Sequence, residues 1–295
     1  MTPLNPLTDV YIGYLPLAHV LELCTEIIVL NCGIAVGYSS PHTITDASTG
    51  VIRGELGDLR VLNPTIMHSV PAVLEKLSKA IKLKIKTKSD FFQIIFETCY
   101  KQKLGFVKSG YDAPILDFFL FKRISSIVIG EKLRFLMCAG ALLNEEVHEF
   151  VQTCLCPVRQ AYGLTETLAS GTSQLINQFV TGTVGSVVPC CELRLVDWNE
   201  GEYRCTDKPY PRGEIYIGGD NVIKGYYNMP EKTKEDFHVI NGIRFFATGD
   251  IGEMNTDTGT LKLIDRKKDI VKLSGGEYVS LNKVESILSK LANIF

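Results

Sequence analysis

The chain has 295 residues, 45% of them hydrophobic and 22% charged, which excludes a disordered tail and leaves enough apolar material for a large core. At roughly 100 to 200 residues per domain, that length holds one large domain or about two. The 31 Lys plus Arg against 33 Asp plus Glu give a formal charge of -2, so no global field draws the chain to nucleic acid and any anionic ligand must be held locally. Nine cysteines form no CxxC and five histidines (19, 42, 68, 148, 238) are scattered, so reduced thiols are expected rather than a disulfide framework or a structural zinc. The apolar stretch Ile27 to Tyr38 is interrupted by Asn31, Gly33 and Gly37 and is shorter than the ~20 residues a membrane span needs. Neither a span nor a signal peptide is expected, and the composition reads as a cytosolic enzyme segment.

In chain order, YIGYLPLAHVLEL sets apolar residues around Pro16 and His19, and EIIVLNCGIAVGYSS reads as a helix passing into a buried strand. Pro71 to Asp90 has helical spacing and six lysines (76, 79, 82, 84, 86, 88) without an acid among them. Two readings stand for that face: solvated surface, or attraction to anionic lipid at about 1 kcal/mol per lysine. Between Leu133 and Thr167 the text gives strand, helix with Asn144 as N-cap, and strand ending in a glycine turn. In such a β, α, β unit, ligands sit at the carboxyl ends of the strands, which places CAGA and YGLTE at one crevice. From Gly182 short alternating strands (ELRLVD, GEIYIGG, TLKLID) predict a β-rich subdomain over about 182–264.

Three constellations carry chemistry. Tyr162, Gly163, Thr165 and Glu166 put an aromatic face, a flexible turn, a hydroxyl and a carboxylate within five residues. These suit a purine, a phosphate oxygen and a hard cation, while the same residues also make an ordinary turn. Thr248, Gly249 and Asp250 end the apolar run IRFFATGD, where a carboxylate can accept from two ribose hydroxyls or cap its own backbone. In DRKKDIVKLSGGEYVSLNKVE a charged pentad, expected to be solvated, precedes a strand, Gly275 and Gly276, and an amphipathic helix. It reads as a hinge with a backbone left open to a thin ligand, or as a surface turn and hairpin.

In this order the three resemble the adenylate-forming enzymes, and within them the long-chain fatty acyl-CoA synthetases. The matching text is YIGYLPLAHVLEL, GYSSP, KLGFVKSGYDAPILDFFLFK, AGALL, QAYGLTET, GEIYIGGDNVIKGYY, FFATGDIGE and DRKKDIVKLSGGEYVSL, nearly the whole chain. The resemblance implies an α/β fold: the central part of the adenylate-forming large domain, mixed sheets flanked by helices plus the β-rich subdomain, through 264. A hinge at 265–270 and the start of a small α+β C-terminal domain at 271–295 would follow.

It further implies that Tyr162 lies along adenine with Gly140 and Ala141 opposite and Gly163 in the turn. Thr165 would touch phosphate, Glu166 ligate Mg2+, Asp250 hold the ribose, and Arg266 reach the nucleotide. Lys268 would be the pivot, His19 would stand in the motif at the acyl tunnel and its gate, and Gly275 and Gly276 would border the pantetheine channel. ATP, coenzyme A and a long-chain fatty acid are the implied reactants, Mg2+ the implied metal, and nucleic acid is not a partner. The compartment implied is the cytosolic face of the endoplasmic reticulum, the lipid droplet or the mitochondrial outer membrane, with the membrane anchor outside these residues.

The chemistry has its own logic. A fatty carboxylate is a poor electrophile, and its attack on the α-phosphate brings two anions together. At about 4 Å and an effective dielectric near 20 that repulsion is about 4 kcal/mol, roughly a thousandfold in rate. The family's phosphate loop upstream of the His19 motif and its late catalytic lysine are not within these residues, so a fragment of a longer protein, or a truncated gene model, is expected. Two functions remain open at this point: an ATP-dependent long-chain fatty acid–CoA ligase for the parent, or a non-catalytic nucleotide- or lipid-binding module for the chain alone. A ligase of another carboxylic acid is the alternative among enzymes.

Overall fold

Short apolar runs form β1 (Val10–Gly13), β2 (Ala35–Tyr38), β3 (Ile66–Ser69), β4 (Phe135–Cys138) and β5 (Val158–Tyr162), paired in parallel in the order β2-β1-β3-β4-β5. The computed structural model describes residues 4–175, 179–272 and 278–281, with Val284 and Leu288. It divides into two units, Met1–Thr165 with Ser173–Gly182 and Glu166–Thr172 with Thr183–Phe295.

In the first unit the strands are connected by α1 (Val20–Asn31), α2 (Asp58–Leu62), α3 (Pro71–Lys86), α4 (Asp90–Lys108), α5 (Pro114–Leu116), α6 (Lys122–Ile129) and α7 (Glu145–Cys154). Successive side chains of a strand point to opposite faces, and the core divides accordingly. Tyr11 and Ile66 pack with Val29 of α1, whereas Ile12 and Met67 pack with Leu74 and Leu77 of α3 and Val151 of α7. A further cluster of Ile81, Phe96, Phe121 and Phe150 sets α4 against α3 and α7 as a second helical layer. Each such fully buried side chain contributes about 1.5–3 kcal/mol relative to exposure.

The β, α, β reading over Leu133–Thr167 is borne out, and Asn144 caps α7 by accepting from Glu146 N over 2.9 Å. Two details differ from expectation. The strand in GIAVGYSS is not buried, because β2 has a single described neighbour, β1, and Ala35 and Tyr38 are exposed. The lysine-rich helix ends at Lys86, since Ser89 accepts from Phe92 N over 3.4 Å and starts a new helix. All six lysines are exposed.

β6 (Thr172–Ser173) lies across the division, and the second unit continues through β7 (Ser186–Val187), β8 (Glu192–Val196), β9 (Arg212–Gly218), α8 (Pro230–Asp236), β10 (Phe237–Ile240), β11 (Ile243–Asn255) and β12 (Thr260–Arg266). These strands are antiparallel in the order β10-β11-β9-β8, with β12 also on β11 and Ile215, Ile217, Phe245, Ile251 and Leu261 buried. β13 (Ile270–Lys272) and β14 (Tyr278–Ser280) form a separate antiparallel pair. Among the described residues no helix is long and apolar enough to cross a membrane.

Candidate functional site

In the first unit, Met137↔Arg159 and Cys138↔Gln160 are register partners, so the segments after β4 and β5 leave the sheet at one edge. That is the edge where parallel sheets hold ligands. Gly140, Ala141, Tyr162, Gly163 and Thr165 all stand there, Gly140, Ala141 and Thr165 exposed and Tyr162 buried. Gly140 has φ +90°, a left-handed value a side chain would strain, and so turns the chain immediately after β4.

His19 follows β1 at the same edge of this parallel sheet. It is exposed and caps α1, Nδ1 accepting from Leu21 N over 3.2 Å. Behind it α1 turns a polar face inward. Tyr11 donates to Glu22 over 2.7 Å and Tyr38 to Glu26 over 3.0 Å, and burial pushes the Glu22 carboxyl up to about 7. Thr25 gives its hydroxyl proton to Leu21 O over 2.7 Å and therefore accepts from His68 Nδ1 over 2.8 Å. Burial holds the His68 ring down at about 4.

Glu166 sits in a 3-10 turn, Thr165–Thr167. Within the second unit three hydrogen bonds fix that turn from the segment 221–226. Ile223 N donates to Glu166 O over 3.0 Å, Asn221 Nδ2 to Thr167 O over 2.9 Å, and Tyr226 Oη to Glu166 Oε1 over 2.8 Å. Burial and the Glu166 carboxylate push the Tyr226 phenol above its usual range, so it stays a donor. The described residues give Oε2 no protein partner. They contain no cluster of three His, Cys, Asp or Glu able to hold a metal. A hard cation at Glu166 would therefore take one protein oxygen and complete its shell from phosphate and water, as Mg2+ commonly does, so the residue fits.

Asp250 is placed by a bulge. Ala247 pairs Tyr216 and Ile251 pairs Glu214, so Thr248, Gly249 and Asp250 stand opposite Ile215 alone. Bulges re-aim side chains beside functional sites. Thr248 donates to Ile215 O over 2.8 Å and accepts from Asp250 N over 3.1 Å, and Gly249 takes φ +72°. Arg266, across β12, brings Nε to 3.4 Å from Asp250 Oδ1 while remaining 67% exposed, so it shapes the local field more than it adds stability.

The pentad is less solvated than its composition predicts. Asp265 is buried on β12 opposite Ile251, and Lys267 bonds Glu214 Oε2 over 2.9 Å with its ammonium 5.6 Å from the Trp198 ring. Lys268 is exposed in the turn Lys267–Asp269. Gly275 and Gly276 lie outside the described residues. Glu214 also accepts from Gly249 N over 3.2 Å, so one buried carboxylate joins the Thr248–Asp250 bulge to the pentad. Sequence reasoning assigned nothing to Glu214, Asn221 or Tyr226. GEIYIGGDNVIKGYY contains all three, and a carboxylate beside the apolar pair Ile215 and Ile217 was the available signal.

The model of the family described as AMP-binding enzyme matches residues 1–227. Long chain acyl-CoA synthetase 8 of Arabidopsis thaliana is 45% identical over 288 residues, covering 95% of this chain and 40% of that protein. Long-chain-fatty-acid–CoA ligase 1 of Schizosaccharomyces pombe is 38% identical over 280 residues, 94% of this chain and 40% of that one. The chain thus spans about 40% of the length of these curated relatives. Among solved structures, the A domain of carboxylic acid reductase from Segniliparus rugosus, in complex with AMP and a co-purified carboxylic acid, superposes with a TM-score of 0.68 at 22% identity. That match covers 94% of this chain and 38% of the reductase chain, and it shows a shared fold.

Proposed function

We propose that this chain, which belongs to the AMP-binding enzyme family, is the nucleotide-holding part of a long-chain fatty acid–CoA ligase. The carrying observation is the 45% identity to a long chain acyl-CoA synthetase over 95% of the chain. The complete protein joins a long-chain fatty acid to ATP as acyl-AMP, releasing pyrophosphate, and passes the acyl group to the thiol of coenzyme A. By resemblance, Tyr162, Gly140, Ala141 and Gly163 serve adenine and Thr165 phosphate, with His19 at the acyl side. Glu166 serves Mg2+, Asp250 the ribose diol, Arg266 the nucleotide and Lys268 the pivot at 265–270, and Gly275 and Gly276 take the role of the pantetheine loop. Mg2+ supplies positive charge where carboxylate and phosphate approach. The protein acts at a membrane, on the cytosolic face of the endoplasmic reticulum, the lipid droplet or the mitochondrial outer membrane, and is anchored by residues other than these.

Support for these roles comes from the hydrogen bonds around them. Asp250 and Glu166 are oxygen donors held in place by backbone and side-chain bonds, and orientation set before binding costs the bound state nothing. The test is a chimera in which this chain replaces the matching part of the Arabidopsis relative. ATP- and coenzyme A-dependent formation of oleoyl-CoA is the expected result. A folded chimera that binds ATP and makes no thioester would contradict the ligase and leave a nucleotide-binding module.

A further inference from the structure

The proposed chemistry uses none of the nine cysteines, yet two adjoin the Glu166 turn. Val188 to Cys191 form a β-turn in which Cys191 N donates to Val188 O over 3.0 Å and Pro189 presets the first central φ. The turn carries the Cys190 and Cys191 Sγ atoms 3.8 Å apart, Cys190 exposed and Cys191 half-buried. Its neighbours leave little slack. Val188 N donates to Gly171 O over 3.0 Å, and a Cβ on Gly219 would stand 2.6 Å from Cys190 O. Asn221, which bonds Thr167 O over 2.9 Å, also lies against the Cys191 thiol. Both ends of the segment 166–171 are therefore tied to the dithiol turn or to the residue that touches it.

We propose that Cys190 and Cys191 form a chelating dithiol site for a soft thiophilic centre of the trivalent organoarsenical class, and that its occupation loosens the Glu166 turn. A direct disulfide fits the turn poorly. It needs sulfurs at about 2.05 Å and usually Cα atoms about 4.4–6.8 Å apart, whereas adjacent residues stand about 3.8 Å apart across a trans peptide. One atom bridging the sulfurs avoids that closure. With phenylarsine oxide both S–H bonds and the arsenic–oxygen bond break and two arsenic–sulfur bonds form. The two protons leave with the oxygen as water, and arsenic stays trivalent. Cys190 reacts first because it is exposed, while burial and its neighbour push the Cys191 thiol up to about 12. The bound group takes the Cys191 sulfur and so displaces its contact with Asn221, whose amide donates to Thr167 O.

The experiment treats the whole chain with phenylarsine oxide, then reads intact mass, peptide mapping and amide exchange. Expected are one phenylarsenic group per chain, mapped to the peptide containing Cys190 and Cys191, kept in excess mercaptoethanol and released by dimercaptopropanol. C190S and C191S should each lose the mercaptoethanol-resistant adduct, and the double variant C32S/C205S should keep it. In the adduct, exchange at the Ile223 amide, which bonds Glu166 O, should quicken several-fold. A resistant adduct mapped elsewhere, no resistant adduct on the wild-type chain, or unchanged Ile223 exchange in the adduct would overturn the proposal.

Discussion

The phenol of Tyr226 donates to the carboxylate of Glu166 over 2.8 Å, joining two residues 60 positions apart. The bond fixes one oxygen of the carboxylate proposed to hold the metal. Tyr226→Phe removes it and should cost about 1 kcal/mol in urea unfolding. In the chimeric ligase it should also raise the Mg2+ concentration needed for half-maximal adenylation several-fold. An unchanged Mg2+ dependence would remove Tyr226 from the site.

Glu166→Ala should abolish Mg2+-dependent adenylation by the complete ligase while lowering stability by only about 1 kcal/mol, the scale of one lost hydrogen bond. Pyrophosphate release with ATP and oleate measures the first, thermal unfolding the second. Normal turnover would refute the assignment.

Glu214 reaches Gly249 N with one oxygen and Lys267 with the other. Glu214→Gln keeps an acceptor for the amide but removes the charge facing the ammonium. The expected loss is about 1.5–3 kcal/mol, the range for hydrogen bonds to charged groups. Because Asp250 follows Gly249, AMP affinity should weaken too. Unchanged affinity would confine Glu214 to a stabilising role.

How much of this was legible depends on distance along the chain. Asn144 capping α7 and the paired exits of CAGA and YGLTE from parallel strands are local patterns, and the sequence text carries them. Tyr226 facing Glu166 and Glu214 facing Lys267 are contacts across 60 and 53 positions, which no spacing rule encodes. The Thr248–Asp250 bulge was likewise hidden, because it arises where β9 supplies one residue against three of β11. Asp265 reads as a solvated charge in DRKKD until its pairing with Ile251 carries it into a sheet. β2 reads as buried until its place at the end of the parallel order is known.

Glu22 gives the fold a pH dependence. Burial raises its carboxyl from 4.5 to about 7, although the Tyr11 bond opposes the shift. The folded chain thus keeps a proton that the unfolded chain releases, so this contribution is complete below pH 4.5 and is lost as pH rises through about 7. The expected loss is on the order of 1–3 kcal/mol. Urea midpoints at pH 5 and pH 8 measure it. Glu22→Gln, which is uncharged throughout, should remove the difference attributable to this group.

The most direct test of the central claim, that these residues hold the nucleotide, is calorimetric titration of AMP into the chain and into Asp250→Ala. Saturable binding by the chain, weakened at least about tenfold (1.4 kcal/mol) in the variant, is the predicted result. Equal affinity for both, or no saturable binding by the folded chain, would contradict it.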